Sequence, residues 1–175
     1  MFADIVGFTK RSAQLGADLI VVELNQIFGH IDKLAEARGV EKIKTIGDAY
    51  FAVSGVPQPV ADHAERIAEF ALDIQAMARD WRSDTWPDLQ FRIVIHSGPV
   101  VAGVIGRTKF AYDVWGDTVN TAAHLEGFCQ PGQILVTELA AAALQDHFSC
   151  EYLGEYELRD KGKIQVFGSL ARKPN

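Results

Sequence analysis

Acidic residues set into apolar or turn-forming sequence are where this chain could carry out chemistry. Asp4 stands in Phe2-Ala3-Asp4-Ile5-Val6-Gly7-Phe8-Thr9, one acid interrupting a strand-like apolar run. A carboxylate in such a place is costly unless a partner charge, hydrogen bonds or a metal ion compensates it. A structural acid at a fraying strand end is an equal expectation from spacing alone. Asp48 follows Gly47 between two β-rich runs, where Gly-Asp is ordinary turn chemistry. Taken together, a strand-end and a hairpin-tip carboxylate on adjacent strands could hold hard cations, since Mg²⁺ prefers few protein carboxylates supplemented by substrate phosphates. Backbone amides at Gly7, Phe8 and Thr9, where the chain passes from strand to helix, could cradle a triphosphate.

Further polar residues fall in the same kind of setting. Lys44 lies on the strand approaching the Gly47-Asp48 turn, and Asp113 lies in Ala111-Tyr112-Asp113-Val114-Trp115-Gly116-Asp117. A solvated charge is the usual fate of either. Asn120 and His124 are four apart on a short helix, off its Val119/Ala122/Ala123 side, and a surface pair is the default reading.

The elements that must position these residues follow from hydrophobic period and breakers. Phe2 to Val6 predicts a buried strand that turns at Gly7. Leu24, Ile27, Phe28, Ile31, Leu34 and Ala35 recur at helical spacing and stop before Gly39. Val40 to Ile46 and Ala49 to Ser54 predict a hairpin closed by a type II′ turn with Gly47 first. Asp62 is placed to cap a second long helix, with Ala64, Ile67, Ala68, Ala71, Ile74 and Ala78 inward and an end near Trp81. Leu89 to Ile95 and Pro99 to Ile105 read as another strand pair around His96-Ser97-Gly98. Asp117 is placed to cap the short helix, and the remainder alternates strands with an Ala-rich helix, Glu138 to Leu144. This order predicts an α+β domain with helices packed on one face of a mainly antiparallel sheet.

Composition bounds the reading. With 175 residues and 48% hydrophobic content the chain suits one domain, residues 1–175, with a real core. The net charge of -6 gives no overall attraction to nucleic acid or anionic lipid, so any phosphate binding must be local. No apolar run is long enough to cross a bilayer and no secretory signal opens the chain, which leads us to expect a cytoplasmic domain, free or attached to a membrane-anchored protein. The first motif starts almost at Met1, as in a segment of a larger protein with an upstream regulatory module. Cys129 and Cys150 lack metal-site or disulfide spacing.

Four ordered segments, FADIVGFT (2–9), EKIKTIGDAYF (41–51), FRIVIHSGPVVAGVIG (91–106) and YDVWGDTVNTAAHLEG (112–127), together resemble the class III adenylyl and guanylyl cyclase catalytic domain over residues 2 to about 170. The resemblance implies a ferredoxin-like, palm-type antiparallel sheet. It makes Asp4 and Asp48, with the Ile5 carbonyl, the ligands of two divalent metal ions, Mg²⁺ or Mn²⁺. Lys44 and Asp113 match the purine-selecting pair in its adenine form, where guanylyl cyclases typically carry glutamate and cysteine. Lysine can donate to adenine N1 and aspartate can accept from its amino group, whereas guanine presents the reverse polarity. Asn120 matches the residue that orients the ribose, Arg92 one that contacts the triphosphate, and Arg159, in Leu158-Arg159-Asp160-Lys161-Gly162, a phosphate-binding cation in a degraded local pattern. His124 departs from the family, which commonly has arginine there to stabilise the transition state.

By the same resemblance, the chain converts ATP to cyclic AMP and pyrophosphate in a homodimer. Asp4 and Asp48 come from one subunit, and Lys44, Asp113, Asn120 and His124 from the other. A guanylyl cyclase and a non-catalytic nucleotide-sensing domain are the alternatives. The first is disfavoured by Lys44 and Asp113, the second by the intact acid pair.

Overall fold

The architecture is that of a computed structural model, which describes every residue except 107, 109, 160 and 175. Strand β1 (Phe2–Ile5) turns through Gly7 into a single short helical segment, α1 (Phe8–Ser12), and then into the long α2 (Ala17–Arg38). The hairpin β2 (Glu41–Ile46) and β3 (Ala49–Val53) follows, then α3 (His63–Asp80), β4 (Phe91–Ile95), β5 (Val101–Ile105) and β6 (Ala111–Trp115). Helix α4 (Asp117–Leu125), β7 (Ile134–Thr137), α5 (Glu138–Leu144), β8 (Phe148–Leu158) and β9 (Gly162–Arg172) complete the chain. Among the described residues the strands form a seven-stranded sheet, ordered β2-β3-β1-β4-β7-β9-β8, and a separate ribbon of β5 and β6. The sheet is antiparallel except where β4 runs parallel to β7. This is the expected α+β class.

Alternation along the central strands splits the sheet into two unlike faces. Ala3, Ile5, Tyr50, Ala52, Phe91 and Ile93 point to α2, α3 and α5, joining Ile27, Ile31, Phe70, Ile74 and Leu144 in the main core. Phe2, Phe51, Val94 and Leu135 point the other way, under Ala122 and Leu125 of α4. Phe2 and Phe51 stack there with centroids 4.6 Å apart. Helices therefore lie on both faces, α1, α2, α3 and α5 on one and α4 on the other, rather than on one face as the element order predicts. The difference arises because Phe2, Phe51, Val94 and Leu135 make a second apolar surface that α4 covers with Ala122 and Leu125, closing a smaller buried cluster.

Other local expectations are also corrected. β4 does not pair with the following strand: it takes β1 and β7 as neighbours, while β5 pairs with β6. Two apolar runs joined by a Gly-containing link look like a hairpin, but β4 is already paired on both edges. Asp62 occupies the N-cap of α3 without capping through its side chain, which binds Arg66 Nε at 2.9 Å. At α4 the N-cap is Gly116, and Asp117, the first helical residue, pairs with Lys161 instead. Ala123 is exposed, and Thr121, Ala122 and Leu125 form the buried side of α4. Among the described residues no helix is long and apolar enough to cross a membrane.

Candidate active site

On β1 the alternation that sends Ala3 and Ile5 into the main core sends Asp4 to the opposite face. Asp4 lies level with Ala49 of β3 on one side and Arg92 of β4 on the other. Arg92 Nη1 donates to Asp4 Oδ2 at 3.2 Å. Asp48 adjoins this pair from the tip of the β2–β3 hairpin, where Gly47 takes φ 62° and Asp48 stays out of the positive-φ region, as a type II′ turn requires. Burial raises the Asp4 carboxyl to about 7, and the charges of Asp48 and Glu126 and a hydrogen bond with Asp48 add to the rise, which Arg92 only partly opposes. The residue is a carboxylate under electrostatic stress.

Glu126, in the 3-10 turn Glu126–Phe128 after α4, is the functional neighbour that sequence reasoning missed. Burial, then Asp48, raises its carboxyl and Arg92 lowers it. Nothing in its local sequence marks it, because only the packing of α4 over the sheet brings the turn towards the hairpin tip.

Two carboxylates and a main-chain oxygen fit a hard divalent cation. Among the described residues no group of three or more His, Cys, Asp and Glu side chains is arranged to hold a metal. A cation at Asp4 and Asp48 would thus depend on substrate phosphates to complete its shell, which suits Mg²⁺ or Mn²⁺ better than a metal needing an all-protein cage. It would also relieve the crowding of negative charge that raises Asp4.

A second group lies on the hairpin and the ribbon. Lys44 Nζ pairs with Asp113 Oδ2 across β2 and β6. The other Asp113 oxygen accepts from the Val114 N–H at 2.9 Å, which fixes the carboxylate plane. Burial would raise Asp113, yet Lys44 and that N–H together hold it below the usual carboxylate range. A fixed donor and a fixed acceptor thus stand side by side. Asn120 and His124 are exposed one turn apart on α4, next to the β6 strand that carries Asp113.

The remaining predicted residues are placed as follows. Gly7, with φ 73°, is the N-cap of α1; Phe8 begins that helix and stacks on Trp86 at 6.0 Å, and Thr9 is exposed beside it. Ile5 ends β1 with its side chain buried. Arg92, expected on a triphosphate, is held on Asp4. Arg159 sits in the β8–β9 turn, whose Asp160 lies outside the described residues. From the same turn Lys161 reaches Asp117 at the start of α4, a link sequence reasoning did not foresee.

Residues 1–169 match the family described as the adenylate and guanylate cyclase catalytic domain. An adenylate cyclase of Mycobacterium tuberculosis is 39% identical over 173 residues, 99% of this chain and 39% of that protein. The guanylate cyclase soluble subunit beta-2 of Rattus norvegicus is 39% identical over 169 residues, 95% of this chain and 25% of that protein. The guanylate cyclase domain of RhGC from Catenaria anguillulae, solved in complex with GTP, superimposes with a TM-score of 0.92 at 37% identity, covering 98% of this chain and 94% of that one. The chain thus spans well under half the length of the curated relatives it matches.

Proposed function

Because the chain belongs to the family of adenylate and guanylate cyclase catalytic domains, we propose that it makes 3′,5′-cyclic AMP and pyrophosphate from ATP, as a homodimer with two divalent metal ions at each shared site. Relatives of both substrate classes are equally similar, so overall likeness does not choose the base. The observation that carries the choice is the Lys44–Asp113 pair. Its ammonium can donate to adenine N1 and its carboxylate can accept from the exocyclic amine. Guanine, with O6 and N1–H, would leave both unpaired in a desolvated pocket, a mismatch that discriminates strongly.

In this reading the ribose 3′ oxygen attacks the α-phosphorus and pyrophosphate leaves in line, with no protein nucleophile. Asp4, Asp48 and the Ile5 carbonyl would hold the ions, which when bound supply charge neutralisation at the phosphates and at the attacking oxygen. Arg92, anchored by Asp4, presents a fixed cation on the α4 face of the sheet, where a triphosphate would lie. Main-chain amides at Gly7, Phe8 and Thr9 add donors. Asn120 orients the ribose, and His124 offers a donor to charge that develops during transfer. Arg159 is read as a further phosphate contact. Catalysis is then positioning and charge stabilisation.

Dimerisation is supported by apolar surface that this fold leaves uncovered. Val101 and Ile105 on the β5–β6 ribbon are more than 60% exposed, as is Phe110 in the ribbon's turn. Val101 and Ile105 flank Gly103, which stands opposite Asp113 in the ribbon, so a second copy covering the ribbon would enclose the base-reading pair. An upstream regulatory module and attachment to a larger, cytoplasmic protein belong to the same reading.

The test is product formation by purified protein with Mg²⁺ or Mn²⁺ and each of ATP and GTP. Cyclic AMP should dominate, and Lys44→Glu with Asp113→Cys should move preference towards GTP. Cyclic GMP as the main product of the unaltered chain, or an unchanged ratio in the double variant, would remove the pair from base selection; bound nucleotide without any cyclic product would favour a sensing domain.

A further inference from the structure

Strand β2 does not run regularly into the hairpin. Its register against β3 passes from Lys42↔Ala52 directly to Lys44↔Phe51, so Ile43 and Lys44 together oppose one residue. Such a bulge changes which face the following side chains occupy. Ala52 and Tyr50 belong to the helix-covered core, Phe51 to the opposite face. Without the bulge Lys44 would stand level with Tyr50, under α2. With it, Lys42 stays on the helix side, Ile43 packs into the cluster around Phe51, and Lys44 emerges on the opposite face against Asp113.

Something must hold a strand in the irregular register, because a one-residue slip returns every later side chain to the wrong face. The chain has a lock one step before the bulge. Lys42 Nζ binds both carboxylate oxygens of Asp32 on α2, at 2.7 and 2.8 Å. Tyr50 Oη donates to Asp32 Oδ1 at 2.7 Å, and the Lys42 ammonium sits 5.1 Å from the Tyr50 ring centroid. Tyr50 is fully buried, so its hydroxyl has a strong need of that acceptor. Its ionisation is suppressed by burial first and by Asp32 second, which keeps the hydroxyl a donor. α2 is thereby tied to both strands of the hairpin at the residue where the register departs from regular.

We propose that Asp32, Lys42 and Tyr50 form a clamp that maintains the β2 bulge and so aims Lys44 at Asp113, making the three of them positioning residues for purine selection. The inference rests on the reading of Lys44 and Asp113 as the base-reading pair. None of the three needs to touch substrate. Their contribution appears as discrimination between purines rather than as turnover alone: a strand free to sample the regular register presents the base with Asp113 and no lysine.

Steady-state kinetics with ATP and GTP on the dimeric protein test this, using Asp32→Asn, Lys42→Met and Tyr50→Phe, with Lys42→Arg as the conservative variant. The first two should lower the ATP-to-GTP ratio of kcat/KM by about tenfold, the scale of one weakened pairing contact. Tyr50→Phe should lower it less, and Lys42→Arg should restore it. A merely structural clamp would reduce both substrates equally and leave the ratio unchanged while the melting temperature falls, and that outcome would overturn the proposal. Combining Lys42→Met with Lys44→Glu supplies the second reading: if the clamp acts through Lys44, the first change adds nothing to the ratio once Lys44 is gone, whereas additive effects refute it. Should Lys44→Glu alone leave the ratio unaltered, the base-reading assignment fails and takes the clamp with it. A changed ratio for Lys44→Glu but not for the clamp variants rejects the clamp alone. Tyr50→Phe removes a single hydroxyl and keeps the ring, so the test survives if the charged variants do not fold.

Discussion

Removing the carboxylate of Asp4 should stabilise the metal-free protein while abolishing its cyclase activity. The carboxyl stands at about 7 in the folded chain against 3.8 ordinarily, because it is buried beside Asp48 and Glu126. At 1.36 kcal/mol per pH unit, ionising it at pH 8 costs roughly 4 kcal/mol of folding stability. That figure already includes the opposing attraction of Arg92; Asn packs and hydrogen-bonds less well than the protonated acid, so a net of about 2 kcal/mol is expected. For a chain of this length that corresponds to a melting temperature raised by roughly 4–8 °C. The sign follows from proton linkage. An acid whose pKa is raised on folding binds its proton in the native state between pH ~4 and ~7 while the unfolded chain has lost it, so its contribution is complete below the unfolded pKa and disappears as pH rises through 7. The benefit of Asn should therefore be largest at pH 8 and small near pH 5. His96 and the Met1 amine, both lowered by burial, pull the other way, and for that reason the quantity to read is the difference between the two proteins. Thermal unfolding in EDTA across pH 5 to 8 measures it. Added Mg²⁺ or Mn²⁺ should then stabilise the unaltered chain more than the variant, since a ligand of the native state raises its stability. A variant no more stable at pH 8, or a difference that does not shrink towards pH 5, would show that Asp4 is not under electrostatic stress.

Three other outcomes follow from the same geometry. Mixing inactive Asp48→Ala chains with inactive Asn120→Ala chains should restore cyclisation, because one of the two heterodimer sites carries neither lesion; subunits that exchange without recovering activity would end the shared-site reading. His124→Arg should raise turnover by less than the ~10²–10³ lost when a whole transition-state donor is removed, with KM for ATP nearly constant, and equal turnover would make His124 a bystander. Ile105→Glu, on a ribbon position 61% exposed, should leave the melting temperature close to its starting value, shift the protein to monomer in sedimentation and abolish activity. A monomer that keeps full activity would contradict the need for a partner.

How far the sequence could be read depended on whether the answer was local. The stripe Ile67, Ala68, Ala71, Ile74 sets α3 by its own period, and Gly47 sets the hairpin turn by its φ, so both were legible. Strand partners were not, because β4 and β5 look like neighbours until β1 and β7 are seen to hold both edges of β4. The caps failed for a similar reason: Asp62 stands at the N-cap but Arg66 takes its carboxylate, and Asp117 falls one residue inside α4, where Lys161 takes its own. At the site, the sequence already offered Asp4 with Asp48 and Lys44 with Asp113 as pairs, whereas the contact of Arg92 with Asp4 needed the register of β1 against β4. Glu126 and the Asp32–Lys42–Tyr50 contacts lie in stretches where no spacing rule singles them out.

The sheet divides stability from chemistry by parity. On β1 the odd residues Ala3 and Ile5 enter a core in which each large side chain contributes about 1.5–3 kcal/mol, while Asp4 between them faces the other side and carries a carboxyl raised by its surroundings. β4 repeats the pattern, with Phe91 and Ile93 inward and Arg92 outward. On β2 the same alternation would have placed Lys44 among the core residues, and the bulge corrects it by one step. Asp4 and Arg92 can therefore carry charge at little risk to the fold, because the main core that supports them is on the other side of the same strands. A substitution at Asp4 or Arg92 should for this reason alter activity before stability, and one at Ala3, Ile5, Phe91 or Ile93 the reverse.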